Sequence, residues 1–293
     1  MSAAVYIGIS GWRYAPWRGV FYPKGLAQRR ELEFAARRFD TIEINGSFYS
    51  LQDARSWQAW HDAAPADFLF AVKCPRFISH IKRLRDVEAP LANFFASGVL
   101  LLADKLGPLL WQFPPNMKFD EPLWRDFFAL LPRSHRAAAQ LAKRHDTRVH
   151  SAALPKRIHA AGVKYAIEVR NDSFCCDAFV ELLRRNDAAL VVADTAGHYP
   201  YLEDVTADFM YLRLHGAEEL YASGYDDRAL RAWSRRIRAW SAGTEPRGAK
   251  RISHRAVKRL ARPVFCYFDN DAKVHAPFDA ARLRLLLDRA NAR

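Results

Sequence analysis

Strand-like and helix-like segments alternate along the whole chain, and this alternation restricts the fold more than any other feature. Runs rich in β-branched and aromatic residues read as strands at 5–10 (VYIGIS), 41–45 (TIEIN), 68–73 (FLFAVK), 108–115 (PLLWQFPP), 164–170 (KYAIEVR), 188–194 (AALVVAD), 208–216 (DFMYLRLHG) and 263–271 (PVFCYFDND). Apolar residues at helical spacing predict helices over 25–39, 53–64, 88–104, 122–131, 176–186, 227–242 and 279–290. Asp53 is placed to cap the second of these. Strands that alternate with helices pair in parallel. Eight such units in 293 residues predict an α/β fold, a (β/α)8 TIM-barrel-like single domain. An open doubly wound sheet would carry a glycine-rich phosphate loop after an early strand. The first strand instead runs into GISGWRYAPWRG, which lacks G-x-G-x-x-G, and no internal repeat or linker divides residues 1–293.

Composition narrows the setting. A net charge of +13 suggests either an anionic partner or broad arginine-rich solvated faces. Two stretches are strongly basic. Residues 133–164 carry eight Lys and Arg against Asp146 alone, and 246–263 carry seven against no acid. The second is read as a basic insertion, either an amphipathic helix or a mobile loop. No run of about 18 uncharged apolar residues exists, so no membrane span is expected. The N-terminal MSAAVYIGIS lacks the basic region of a signal peptide. Cys74, Cys175, Cys176 and Cys266 form no C-x-x-C or zinc spacing and read as reduced thiols of a cytoplasmic protein.

Barrels place their chemistry at the C-terminal ends of the strands, and here those ends are polar. Side chains alternate in period two, so same-face sets follow from numbering. They are Glu43 and Asn45, Lys73, Gln112, Glu168 with Arg170, Asp194, Arg213 with His215, and Asp269, Asn270 and Asp271. A lone buried carboxylate such as Glu43, between two isoleucines, would cost several kcal/mol or take up a proton. The set makes sense as a mutually neutralising cluster in one mouth. Glu43 and Glu168 are acid/base candidates, with His215 as proton carrier. Lys73 is a counter-ion, a phosphate ligand or a Schiff-base amine. Trp12, Tyr14, Trp17, Phe48, Tyr49 and Trp111 suit the wall of a mouth, against a sugar, a base or simply as lining. Glu43, Glu168, Asp194, His215 and His80 are suitable metal ligands by type, but no closely spaced histidine pair accompanies them, so no metal is expected.

The motifs IGISGWRYAPWRGVFYP (7–23), FDTIEINGSFYSL (39–51), FLFAVKCPRFISH (68–80), LADKLGPLLWQFPP (102–115), AIEVRNDSF (166–174), ADFMYLRLHG (207–216) and YFDND (267–271) together resemble the YecE-like family, also called domain of unknown function 72. The resemblance covers essentially the whole chain. It implies a (β/α)8-like barrel with a polar pocket, in a family without an established activity. A likeness in shape to barrel endonucleases acting at abasic DNA sites has prompted a nucleic-acid suggestion for that family. The matched pocket positions are Trp12, Glu43, Asn45, Tyr49, Lys73, His80, Gln112, Glu168, Arg170, Arg213, His215, Asn270 and Asp271. The chain departs from the family at Asp269, where asparagine is expected, and in its basic 246–263 stretch.

Three functions are therefore expected in turn. The first is an enzyme acting by acid/base chemistry on a small anionic or phosphorylated substrate, in which Glu43→Gln abolishes turnover and spares the fold. The second is a nucleic-acid-binding or phosphodiester-processing protein whose basic stretches track phosphates. The third is a non-catalytic interaction module. The sequence specifies no cofactor and no oligomeric state.

Overall fold

A computed structural model describes residues 2–291. Its strands are β1 (Val5–Ser10), β2 (Thr41–Ile44), β3 (Leu69–Lys73), β4 (Leu106–Gln112), β5 (Tyr165–Glu168), β6 (Ala188–Asp194), β7 (Met210–Leu214) and β8 (Val264–Phe268). Each pairs in parallel with the next, and β8 closes on β1, giving one barrel. The helices around it are α1 (Glu31–Ala36), α2 (Gly46–Tyr49), α3 (Ala54–Ala63), α4 (Glu88–Ala96), α5 (Glu121–Leu130), α6 (His135–Ala142), α7 (Asp177–Arg185), α8 (Asp227–Ser241) and α9 (His275–Asn291). Asp53 caps α3 as expected, accepting from the Ser56 amide at 2.7 Å. No described helix is long and apolar enough to cross a membrane.

The barrel interior is graded from apolar to ionic. Tyr6, Leu69, Phe209 and Phe265 fill the end where the strands begin, with Tyr6 stacked on Phe265. One step of two residues higher, about 6.6 Å along a strand, come Ala71, Leu110, Ala166, Tyr211 and Tyr267. Tyr211 and Tyr267 lie with ring centroids 4.9 Å apart, and the Tyr267 hydroxyl meets Thr41 Oγ1 at 2.8 Å. Gly8 on β1 allows the close approach of β2, because a Cβ there would lie 1.9 Å from the carbonyl oxygen of its register partner Thr41. Above the tyrosines stand Glu43, Lys73, Glu168, Arg213 and Asp269, so the polar residues share the upper end of the interior.

Several expected elements change. The helix predicted over 25–39 is helical only from Glu31, behind a 3-10 turn. The one predicted over 88–104 breaks at Gly98, whose φ of +114° disfavours other residues and where a Cβ would meet Trp57 Cδ1 at 2.9 Å. The basic 133–164 stretch holds a helix the hydrophobic period did not reveal. This α6 is short and alanine-rich, and Ser134 caps it by accepting from the Ala137 amide. Residues 246–263 form neither an amphipathic helix nor any other helix. Their path is pinned by two buried acids of the β6–β7 loop. Glu203 accepts from the Lys250 amide at 2.8 Å, and Asp204 accepts from the amides of Ile252 and Ser253.

Candidate active site at the barrel mouth

The strand ends meet on Arg213, a guanidinium with no exposed surface. Its Nε and Nη2 donate to the two oxygens of Glu43 at 3.0 and 2.8 Å. Nη1 donates to Glu168 Oε2 at 2.8 Å, and Nη2 also reaches Asp269 Oδ2 at 2.8 Å. The fork of an arginine spreads its donors over three nitrogens, farther apart than the three donors on the single nitrogen of a lysine. Glu43 takes two further bonds, from Ser10 Oγ at 2.6 Å and the Tyr211 hydroxyl at 2.7 Å. Four donors occupy the lone-pair sites of one carboxylate, so Glu43 has nothing left to offer the mouth.

Glu168 is nearly as engaged. Gln112 Nε2 and Arg170 Nε donate to its Oε1 at 2.8 and 2.9 Å. Burial works to raise its pKa, but the charges of Arg213 and Arg170 outweigh burial and hold it well below the usual carboxylate range. Asp269 behaves alike: burial opposes ionisation, and Arg213 and His215 overcome it. His215 Nε2 lies 3.3 Å from Arg213 Nη1. A guanidinium only donates, so Nε2 must accept and the ring proton sits on Nδ1. That atom is 2.9 Å from Asp269 Oδ2 but off the line of a well-formed hydrogen bond. The edge of His215 is closed by Tyr221, at 5.2 Å between centroids.

Lys73 is the exception in this cup. Its side chain is nine-tenths buried, yet among the described residues no carboxylate oxygen comes within 4.0 Å of Nζ. Nζ lies instead 4.3 Å from the centroid of the Phe48 ring. Burial, and then repulsion from Arg213, lower its pKa to about 8 against the pull of Glu43, Glu168 and Asp269. Three cations (Lys73, Arg170, Arg213) thus face three carboxylates (Glu43, Glu168, Asp269). Asp269, where the resemblance implied asparagine, supplies the third negative charge.

Above the cup opens a cavity of about 470 Å³ whose lining includes Trp12, Asn45, Tyr49, Lys73, Asp269 and Asp271. Asp271 is the second group in it that titrates near neutrality. Burial, and then the charge of Asp269, raise its carboxyl to about 6. A carboxyl raised in the fold lends stability at pH values below its unfolded pKa and loses it as pH rises through the folded value. Asp271→Asn is therefore expected to raise stability by about 1 kcal/mol at pH 7, discounted for the water that reaches the group, and to have no effect near pH 3. Urea unfolding at the two pH values checks this.

Other expected site residues fall elsewhere. Asp194 belongs to the even-numbered face of β6, while Ala189, Val191 and Ala193 face inward. It points out toward the helix layer and accepts from the Tyr225 hydroxyl at 3.0 Å. Asn270 also faces outward and donates to Asp279 and to the Ser223 carbonyl, tying β8 to its surroundings. Trp111 packs outward on Phe127, and Trp17 is buried among Tyr14, Phe21 and Tyr22, so neither lines the mouth. Gln112 is a buried partner of Glu168. His80 sits beside the cup, edge-on to Phe48, with burial and then Lys73 lowering its pKa to about 4. Sequence reasoning missed Trp60 and Tyr221. Tyr221 lies in the loop after β7, within 3.3 Å of Arg170 Nη2, and its place just beyond Arg213 and His215 was the available signal. Among the described residues, no group of three or more His, Cys, Asp or Glu is placed to hold a metal ion.

A parallel eight-stranded barrel with an ion-paired cup beneath an aromatic mouth defines a TIM-barrel-like protein, with this candidate site at the strand C-terminal ends. The chain belongs to the family described as Protein of unknown function DUF72, whose model matches residues 6–293. It is similar to UPF0759 protein YunF of Bacillus subtilis (strain 168), 29% identical over 116 residues, covering 38% of this chain and 40% of that protein. It is likewise similar to UPF0759 protein YecE of Escherichia coli (strain K12), 30% identical over 110 residues and 38% of each chain. The matched part therefore spans about two fifths of the length of these curated relatives. Among solved structures, a DUF72 family protein from Thermotoga maritima MSB8 superposes with a TM-score of 0.71 at 23% identity, over 97% of this chain and 99% of that one. Another from Enterococcus faecalis V583 gives 0.67 at 16% identity, over 98% of both. These likenesses carry the fold.

Proposed function

We propose that this chain is an enzyme that takes a small anionic or phosphorylated substrate into the mouth and works on it by proton transfer, with Lys73 and Asp271 exchanging the protons. The Arg213 network is the fixed floor beneath them. One observation carries this reading: a nearly buried ammonium that opens on a 470 Å³ cavity without a carboxylate partner of its own. An entering anion supplies that partner, and its charge draws the lysine toward its ionised form. Groups with pKa values near the working pH make effective proton donors and acceptors, and Lys73 at about 8 and Asp271 at about 6 are in that range. Glu43 and Glu168, the acid/base pair expected from sequence, serve here as hydrogen-bonded anchors for Arg213. Trp12, Tyr49 and Trp60 would cover the uncharged part of the substrate.

The test is a thermal-shift screen of small anions, beginning with inorganic phosphate, on the wild type and Lys73→Met. Phosphate is expected to raise the melting temperature of the wild type by more than that of the variant. An equal shift in both proteins, or no response of the wild type to any small anion, would remove Lys73 from the site.

A further inference from the structure

The seven basic residues of 246–263 are not used by the mouth, and part of this stretch lines a separate groove of about 790 Å³ at the opposite end of the barrel. Its walls come from the chain just before β6, β7 and β8 (Asp187, Val205–Asp208, Pro263), from the end of α7 and from residues 255–262. Five cations line it: Arg184, Arg185, Arg255, Lys258 and Arg262. The three acids there are already engaged. Glu181 is held by Arg184 at 2.7 Å and Arg255 at 2.9 Å, Asp208 by Lys164 at 2.7 Å, and Asp187 accepts from the Asp208 amide at 3.0 Å. Among the described residues, Arg185, Lys258 and Arg262 have no carboxylate within 4.0 Å.

Arg262 is 3% exposed, its Nη2 donates to the Lys258 carbonyl, and its Nη1 is buried with no hydrogen-bond partner among the described residues. Arg184, which lines the same groove, likewise has a buried Nη2 with no partner among the described residues. Leaving charged donors unsatisfied in a low-dielectric setting is costly, and native proteins rarely do so without a ligand, ion or water to receive them. Val257 and Leu260 add an apolar flank.

We propose that this groove is a second binding site, for an anion of the phosphate class, whose oxygens accept from Arg262 and Arg184 and are held at the rim by Arg185 and Lys258. A planar guanidinium suits a phosphate oxygen pair. Free phosphoanions and the phosphodiester backbone of a single strand share this chemistry.

Isothermal titration at low salt with inorganic pyrophosphate tests it, in a Lys73→Met background that removes the mouth from the measurement. Pyrophosphate is expected to bind this protein. Adding Arg185→Gln with Lys258→Gln, both exposed and outside the core, is expected to weaken binding about tenfold or more, the scale of a lost charge-assisted contact. Arg262→Lys, which keeps the charge and loses the fork, is expected to weaken it comparably. A short single-stranded oligonucleotide is titrated in parallel: if the groove variants lose it too, backbone phosphate is a source, and if only pyrophosphate binds, the ligand is a free anion. The proposal is overturned if the Lys73→Met protein binds neither probe, or if the Arg185/Lys258 pair binds both as tightly as its parent. Neither result bears on the mouth, which is read by the difference in phosphate shift between the wild type and Lys73→Met.

Discussion

Arg213→Met is expected to destabilise the barrel by about 3–5 kcal/mol or prevent its folding, because it leaves buried carboxylates without their cation. Glu43, Glu168 and Asp269 converge on that one side chain, and Glu43 itself has no exposed surface. Arg213→Lys is expected to recover only part of the loss, since three donors on one nitrogen cannot replace four carboxylate bonds spread over the three nitrogens of the guanidinium. Glu43→Gln belongs to the same set. Each of its oxygens now accepts two bonds, and an amide nitrogen in place of one would face donors. Its main effect falls on the fold, where the sequence alone led us to expect an effect on turnover only. Urea midpoints for the three variants check this; wild-type midpoints for Arg213→Met would show that the cup is not a structural network.

The second large effect is on acid stability. Glu168 and Asp269 are both held below their ordinary range, so the unfolded chain binds more protons than the folded one once pH falls to about 4. Their contribution is complete above about pH 5 and is lost as pH falls toward the folded values. Where both carboxylates differ fully between the states, the two protons give a slope of about 2.7 kcal/mol per pH unit. Asp269→Asn is expected to remove one proton from that linkage, which halves the part of the slope owed to this pair. Urea unfolding from pH 6 down to pH 3 measures it, and an unchanged slope in the variant would separate Asp269 from the linkage.

Much of this arrangement was legible in the sequence because a strand imposes strict alternation. Glu43, Lys73, Glu168 and Arg213 share the inward parity of their strands, and a closed barrel brings inward residues from distant segments to one axis. The same rule explains the misplacements. Asp194, Asn270 and Trp111 lie at strand ends or within strands, but on the outward parity, and position along a strand is no substitute for face. α6 escaped because its 8 residues, largely alanine, fall short of the window over which an apolar period is read. Which polar group would be free was not legible either. That depends on how many donors reach each carboxylate: Ser10 and Gln112 meet theirs through the register of neighbouring strands, and Tyr211 reaches Glu43 from a distant strand only because the sheet closes.

The central claim is that Lys73 is the unpaired, proton-exchanging cation of the mouth above a locked ionic floor. Its titration, followed by NMR on isotopically labelled lysine with and without inorganic phosphate, tests that most directly. A midpoint of about 8 that moves upward when phosphate is present is the predicted result. A midpoint near the ordinary lysine value of about 10.4, indifferent to phosphate, would contradict it.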